Sequence, residues 1–127
     1  MKYILDTHSF IWWHNNTSHL SEKVLAICEN TDNELLLSMA SIWKMQVKLQ
    51  TNKLKLNTDL IDIITLQQAN GISILPININ HIVYLNNLPL SHDDCFDRLL
   101  VAQAIIEDAV IVSKDSKFKN YSVQTLW

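Results

Sequence analysis

Short apolar runs alternate with helix-like patterns along the chain, and this alternation constrains the fold more than any other sequence feature. Strands are predicted at residues 2–6, 34–39, 73–77 and 109–113, with a fifth short one at 123–127. Because parallel strands need a crossover between them, usually a helix, alternating strands and helices indicate a parallel sheet covered on both faces. We therefore predict an α/β fold with three layers (α/β/α), built around a central parallel sheet of four to five strands.

The segments between the strands have helical patterns with recognisable ends. Helices are predicted at residues 9–15, 21–30, 40–50, 59–70 and 80–85, and from about 94 to 108. The expected N-caps are Ser21, then Asn57 or Thr58, then Ser91 or Asp94. Gly71 is expected just after a helix C-terminus, and Pro76 limits the third strand to a short or edge role.

Length and composition bound the architecture. With 127 residues, 48% of them hydrophobic, residues 1–127 are expected to form one domain with a substantial core. The net charge of −3 does not by itself indicate nucleic-acid binding. Lysines do cluster locally, at positions 44, 48, 53 and 55 and again at 114, 117 and 119, and solvated surface is their simplest interpretation.

Several classes of protein are disfavoured by the sequence. It begins without a signal peptide and has no apolar run of membrane-spanning length, so we expect a cytoplasmic protein with no membrane partner. Cys28 and Cys95 lack metal-type spacing and are expected in the core. Gly71 is the only glycine, which excludes glycine-rich phosphate-binding loops. Any phosphate chemistry must therefore use metals or side chains.

Three aspartates lie where a parallel sheet would bring them together. Asp6 ends the first strand, Asp115 follows the fourth, and Asp97 opens an apolar helix pattern. In open α/β sheets, ligands bind in the crevice at the carboxyl ends of the strands. Clustered carboxylates stay ionised together only with cations between them, and hard divalent ions prefer oxygen ligands. The sequence therefore predicts an acidic site for a divalent metal.

Each of these acids also has a simpler interpretation. Asp6 and Asp115 can be turn or cap residues at strand ends. Asp93, Asp94 and Asp97 can be first-turn acids that complement a helix dipole, although Asp97 heads an apolar stripe where a lone carboxylate is costly.

The aromatic and histidine residues give weaker indications. Trp12, Trp13 and Trp43 fit buried helix faces, with base stacking as the alternative. The five histidines lack ligand spacing; only His92, two residues before Asp94, stays open as a ligand.

Motifs spread over nearly the whole chain resemble those of a PIN domain, in particular the VapC-type toxins of bacterial toxin–antitoxin pairs. They are Leu5-Asp6-Thr7-His8 with Ile11-Trp12-Trp13, Ser41-Ile42-Trp43, Asp94-Cys95-Phe96-Asp97-Arg98-Leu99-Leu100-Val101-Ala102-Gln103-Ala104, and Ser113-Lys114-Asp115. The resemblance implies a ribonuclease that holds Mg²⁺ or Mn²⁺, cuts RNA, forms a homodimer and is silenced by a cognate antitoxin. It also implies Asp6, Asp97 and Asp115 as metal-site acids, Asp94 as a second-tier candidate, and Ser113 as the small hydroxyl residue beside the last acid.

One position departs from the family pattern at the centre of this chemistry. Lys44 follows Ser41-Ile42-Trp43 where the family has a glutamate, a difference of two charge units. We expect Lys44 either to pair with Asp6 or Asp97 and fill the place of a cation, or to extend into solvent so that only a ligand is lost. A unit charge at ~4 Å and an effective dielectric constant of ~20 is worth about 4 kcal/mol before desolvation, enough to weaken metal binding severely. Ser91, Asp93 and Cys95 also differ from the usual residues.

Three accounts of Lys44 remain open. The protein is a degenerate or regulatory PIN protein, or the ammonium partly replaces one metal, or an attenuating Glu→Lys change has occurred. The first and third are favoured over the second.

Two functions from different classes therefore compete. The first is a metal-dependent endoribonuclease with reduced or absent activity. The second is a non-catalytic PIN-fold module that dimerises and docks an antitoxin or RNA; a DNA nuclease is a weaker third. The segment Phe10-Ile11-Trp12-Trp13 is expected to supply the dimer interface, and an antitoxin is expected to lay a helix or extended tail across the groove.

Overall fold

A five-stranded parallel sheet forms the centre of the molecule. The structure is a computed structural model that describes residues 1–89 and 94–127. The strands are β1 (Lys2–Leu5), β2 (Glu34–Ser38), β3 (Ile72–Leu75), β4 (Val110–Val112) and β5 (Thr125–Leu126). Their order in the sheet is β3-β2-β1-β4-β5, and every neighbouring pair is parallel. The predicted α/β fold and its parallel sheet are confirmed.

Helices connect the strands. Within the described residues they are α1 (Thr7–Asn15), α2 (Glu22–Glu29), α3 (Met39–Gln50), α4 (Leu60–Ala69), α5 (Ile79–Val83) and α6 (Cys95–Glu107). Short 3₁₀ segments occur at Thr17–His19, Tyr84–Asn87 and Ser116–Asn120. None of the described helices is long and apolar enough to cross a lipid bilayer.

Alternating strand residues build a separate core on each face of the sheet. Leu5 and Leu37 pack on one face with side chains from α1, α2, α3 and α4. Ile4 and Leu36 pack on the other face, mainly against α6. Because successive side chains of a strand point to opposite faces, two cores require strands that are apolar at nearly every position, as these are.

Several predicted element ends are confirmed. Ser21 caps α2 by accepting a hydrogen bond from the Val24 amide, and Gly71, with φ of 102°, follows the end of α4. β3 is an edge strand and ends at Leu75, directly before Pro76, which has no amide hydrogen to donate.

Two helix starts were predicted wrongly. α4 is preceded by Asp59 rather than Asn57 or Thr58, and the Asp59 side chain makes no capping bond. α1 begins at Thr7, two residues earlier than predicted, because the Asp6 carboxylate caps it. The proposed cap Ser91 lies outside the described residues.

Three side chains lie in surroundings other than those predicted. Trp43 and Cys95 were predicted in the core, and Phe10 was predicted at a dimer interface. Trp43 is 56% exposed and Cys95 is exposed, so neither is a core residue. Phe10 is buried in the core and is not available to the predicted dimer interface, whereas Trp12 and Trp13 are half-buried against that core. Trp43 lies about 200° around α3 from the buried Ser41.

Candidate functional site

The predicted site residues come from four segments at the carboxyl edge of the sheet. Asp6 follows β1, and Ser113 follows the neighbouring strand β4. α3 begins directly after β2, and α6 leads back toward the start of β4, so the first turns of both helices lie at this same edge. The structure arranges these residues in two groups, one around Ser113 and one around Lys44.

Ser113 links the two acids that follow β1 and β4. Its hydroxyl donates to Asp6 Oδ2 at 2.5 Å and accepts from the Asp115 amide at 3.0 Å. Asp6 Oδ1 accepts from the Ser9 amide at 2.8 Å, so both oxygens of this buried carboxylate are engaged. The Asp115 carboxylate accepts from the Lys117 amide at 2.9 Å at the start of a 3₁₀ segment.

Lys44 joins the two acids at the start of α6. Its Nζ lies 2.8 Å from Asp94 Oδ2 and 3.3 Å from Asp97 Oδ1. The side chains of Lys44 and Asp97 are 15% and 14% exposed, and that of Asp94 is 30% exposed. The expected pairing with Asp97 is therefore confirmed, and the alternative in which Lys44 extends into solvent is wrong.

Both ends of the Lys44–Asp94 pair are stabilised in their charged forms. Burial alone disfavours the ammonium of Lys44, but its hydrogen bond to Asp94 and the charges of Asp97 and Asp94 outweigh burial and raise its pKa above 10.5. Burial likewise disfavours the charged form of Asp94, but the hydrogen bond from Lys44 and the amides of Asp97 and Phe96 lower its pKa below 3.8. The pair is fully ionised at neutral pH.

A buried glutamine fixes how α3 and α6 lie against each other. The Ser38 hydroxyl accepts from the Ala40 amide at the start of α3 and donates to Gln103 Oε1 on α6. Gln103 Nε2 donates to the Pro76 carbonyl at 3.2 Å. This contact helps to hold Lys44 against the first turn of α6. The sequence signal for this contact is a polar glutamine, Gln103, inside the apolar stripe of α6. No role for Gln103 was predicted.

Most of the acids also have a local structural role. Asp6, Asp94 and Asp115 each cap the helical segment that follows them, as the simpler interpretation predicted. Asp97 lies in the first turn of α6 rather than at its cap, and like Asp94 it directs an oxygen at Lys44. Asp93 and His92 lie outside the described residues.

The donor atoms suit a divalent metal, but the charge at the site does not. Carboxylate oxygens are the ligands that Mg²⁺ and Mn²⁺ prefer. Among residues 1–89 and 94–127, however, no three His, Cys, Asp or Glu side chains are grouped so that they could hold a metal ion. The oxygens of Asp6 already accept hydrogen bonds, and Asp97 faces an ammonium. With Lys44 in place, the residues do not fit a bound metal.

Comparison with known proteins gives a consistent family and fold. The family model of the PIN domain matches residues 3–124. The fold is similar to the crystal structure of VapBC2 from Rickettsia felis bound to a DNA fragment from their promoter, with a TM-score of 0.72 and 16% identity over 99% of this chain and 98% of that one.

Two further solved structures share the fold at similarly low identity. One is VapBC-1 from nontypeable Haemophilus influenzae, with a TM-score of 0.68 and 14% identity over 99% of this chain and 97% of that one. The other is DNA-bound VapBC from Salmonella typhimurium, with a TM-score of 0.70 and 12% identity over the same shares. No curated protein sequence matches the chain significantly.

Proposed function

Because the chain belongs to the PIN domain family, we propose that it is an endoribonuclease of the toxin–antitoxin type whose activity is attenuated by Lys44. The substrate is RNA, and the bond hydrolysed is a phosphodiester. Asp6, Asp97 and Asp115 are the acids assigned to the reaction, and Mg²⁺ or Mn²⁺ is the cofactor that they would hold if Lys44 did not occupy the site. The protein acts in the cytoplasm.

The acids Asp6, Asp97 and Asp115 support the nuclease, and the contact of Lys44 with Asp94 and Asp97 carries the proposed attenuation. An ammonium 2.8 Å and 3.3 Å from two carboxylates supplies the positive charge that these acids otherwise draw from a metal ion. A carboxylate at position 44 in place of the ammonium reverses this balance. It leaves three like charges close together, and these repel one another unless a cation lies among them.

The remaining residues hold the acids in position. Ser113 orients the Asp6 carboxylate and the backbone of Asp115, and the Ser9 amide holds the second oxygen of Asp6. If Lys44 were withdrawn, Asp6, Asp97 and Asp115 would be the residues to hold a divalent ion, which would supply charge neutralisation and water activation for phosphodiester hydrolysis. Lys44 opposes this arrangement by drawing Asp97 into an ion pair.

The proposed toxin–antitoxin type implies two protein partners, an antitoxin and a second copy of this chain. The solved structures of similar fold are VapBC assemblies, so we include a cognate antitoxin as a partner of this chain. A homodimer also belongs to the proposal. Because Phe10 is buried, apolar side chains other than Phe10 must form the dimer interface.

A non-catalytic binding module is the second candidate, and the Lys44 ion pair is what favours it. A PIN fold that only docks an antitoxin or RNA needs no metal at its acids, and an internal ammonium keeps them neutralised without one. The two candidates differ in the chain's response to a change at position 44.

The test is RNA cleavage by the unmodified chain, by Lys44→Glu and by Lys44→Gln, with Mg²⁺ or Mn²⁺ and a diverse pool of RNA. We expect Lys44→Glu to cut between tenfold and about a thousandfold faster than the unmodified chain, the upper limit corresponding to about 4 kcal/mol. Lys44→Gln removes the ammonium without adding a ligand, so its cleavage rate should lie between those of the unmodified chain and Lys44→Glu.

The double variant Lys44→Glu/Asp97→Asn is the matched control and should be inactive. Equal cleavage by the unmodified chain and Lys44→Glu would refute attenuation. Activity that survives in the double variant would refute the assignment of Asp97. If no variant cuts, the binding module becomes the better account.

A further inference from the structure

A cleft of about 430 Å³ lies beside the acids, between α3 and the start of α6. Lys44, Val47 and Lys48 line it from α3, Asp94 and Phe96 line it at the start of α6, and Lys53 lines it from the segment after α3. Lys44 and Lys48 are one helical turn apart and therefore share a face of α3. The cleft thus continues directly from the Lys44–Asp97 contact along a line of lysines.

Three lysines and one aspartate line the cleft, so its net charge is opposite in sign to that of the whole chain. Lys48 is half-buried and Lys53 is exposed, and neither forms an ion pair with any carboxylate in the described part of the chain. The chain as a whole carries a net charge of −3. Free ammonium groups concentrated in a cleft of an acidic protein favour a polyanion at that place.

The exposed Trp43 contacts Phe96, which lines the cleft. The Trp43 and Phe96 rings lie 4.8 Å apart between centroids and perpendicular to each other. Trp43 is 56% exposed, although tryptophan is highly buried on average in folded proteins. Aromatic side chains beside a basic groove are typical of sites where successive bases of a single strand stack while lysines follow its phosphates.

We propose that this cleft binds an unpaired stretch of RNA, with Lys48 and Lys53 contacting phosphates and Trp43, supported by Phe96, stacking against a base. The bases of a duplex are enclosed in their own stack, so a flat aromatic surface selects unpaired nucleotides. Choosing RNA rather than another polyanion rests on the proposed function. The cleft would hold the substrate beside the acids and against Lys44, which lines it.

Binding is measured on the full chain in a chelator, so that no cleavage occurs, by fluorescence anisotropy of a labelled single-stranded RNA of about twelve nucleotides. The same strand annealed to its complement serves as the duplex probe. Trp43→Ala should weaken single-strand binding roughly 5- to 150-fold, the loss expected for one stacked base, whereas Trp43→Phe should retain most of the affinity. Ile106→Ala, an exposed apolar residue at the far end of α6, should change nothing.

The lysines have a separate readout in the salt dependence of binding. The slope of log K against log salt concentration should fall by about 1.4 in Lys48→Gln/Lys53→Gln, or about 0.7 for each lost phosphate contact on a single strand. Lys2→Gln, which removes a lysine paired with Glu107, should leave the slope unchanged.

Unchanged affinity in Trp43→Ala, or equal losses for single-stranded and duplex probes, would overturn the proposal. So would a loss that appears only together with a smaller sedimenting species, because the cleft would then be an interface between two copies of the chain. RNA binding that depends on Trp43 in a chain that never cuts, even as Lys44→Glu, would support the cleft and count against the proposed nuclease. The two proposals can therefore fail separately.

Discussion

The Lys44 ammonium neutralises carboxylates that would otherwise repel one another, which is the part a divalent cation plays in an acidic cluster. It differs from a metal ion in being tethered to α3, so it is present at the acids at every metal concentration. A buried ion pair costs desolvation to form, but removing one partner leaves a charge that is poorly solvated. The charge of the side chain at position 44 therefore affects both the chemistry of the site and the stability of the first turn of α6.

Replacing Lys44 by methionine should destabilise the fold by about 1 to 3 kcal/mol near neutral pH, less than for a fully buried pair because Asp94 is partly solvated. The pKa of Asp94 is lowered in the fold, so its contribution is present above its ordinary pKa and is lost as the pH falls through the folded value. The pKa of Lys44 is raised, so its contribution is present below 10.5 and is lost as the pH rises through the folded value.

Urea unfolding of both proteins over a pH series checks this prediction. The difference between Lys44→Met and the unmodified chain should be largest between about pH 5 and pH 10 and should shrink on either side. Lys48→Met, one turn along α3 and without an ion pair to a described carboxylate, is the matched control and should show little pH dependence. A loss of equal size at every pH would mean that Lys44 acts by packing alone.

The sequence identified Lys44 as the anomalous residue and predicted its pairing with Asp6 or Asp97; the structure shows the pairing with Asp97 and, at a shorter distance, with Asp94, which was not predicted. The choice between carboxylates depends on how α3 and α6 lie together, which Ser38 and Gln103 help to fix through contacts distant in sequence. Trp43 was misplaced because its size suggested burial. The buried face of α3, however, is set by Ala40, Ser41 and Met45, and Trp43 lies on the opposite side.

At the level of the helix, Asp94 has two functions that substitution can separate. Its Oδ1 caps α6 by accepting from the Phe96 and Asp97 amides, while Oδ2 accepts from Lys44. Asp94→Asn keeps a capping oxygen and loses the charge, whereas Asp94→Ala loses both. We expect the alanine variant to be less stable than the asparagine variant by about 0.5 to 2 kcal/mol, the usual contribution of an N-cap.

Urea unfolding of both Asp94 variants, repeated with Lys44→Met, measures the two contributions. In the Lys44→Met background, the unmodified Asp94 and the asparagine variant should have nearly the same unfolding free energy. The difference in unfolding free energy between the asparagine and alanine variants should persist. If the asparagine and alanine variants are equally stable, the capping bond contributes nothing measurable.

Strands were easier to predict than helix ends, for a physical reason. A strand buried on both faces leaves a continuous apolar run, as in Ile111 and its neighbours, whereas a helix start depends on one side chain reaching one amide. Ser21 makes that contact and Asp59 does not, although both are common capping residues. Pro76 was a stronger signal because it lacks the donor that a longer central strand requires.

Across the whole molecule, parallel topology brings together acids that are far apart in sequence. Asp6 and Asp115 follow neighbouring strands, and this proximity follows from the predicted sheet. The division into one group around Ser113 and another around Lys44 did not follow from it. That division depends on side-chain hydrogen bonds, such as those of Ser9 and Ser113 to Asp6, which a pattern of apolar residues does not encode.

Divalent-ion binding should register in the stability of the whole fold once Lys44 is replaced. Without metal, Lys44→Glu should be less stable than the unmodified chain, because the new carboxylate repels Asp94 and Asp97. Mn²⁺ at a hundred times its dissociation constant should then raise the unfolding free energy of Lys44→Glu by about 2.7 kcal/mol, since a ligand that binds only the native state stabilises it by mass action.

The unmodified chain, whose acids are neutralised by Lys44, should show no such increase, nor should Lys44→Glu/Asp97→Asn. Calorimetric unfolding with and without Mn²⁺ measures all three proteins, and an equal gain in each would show that the ion binds away from Asp97 and that Lys44 does not control it.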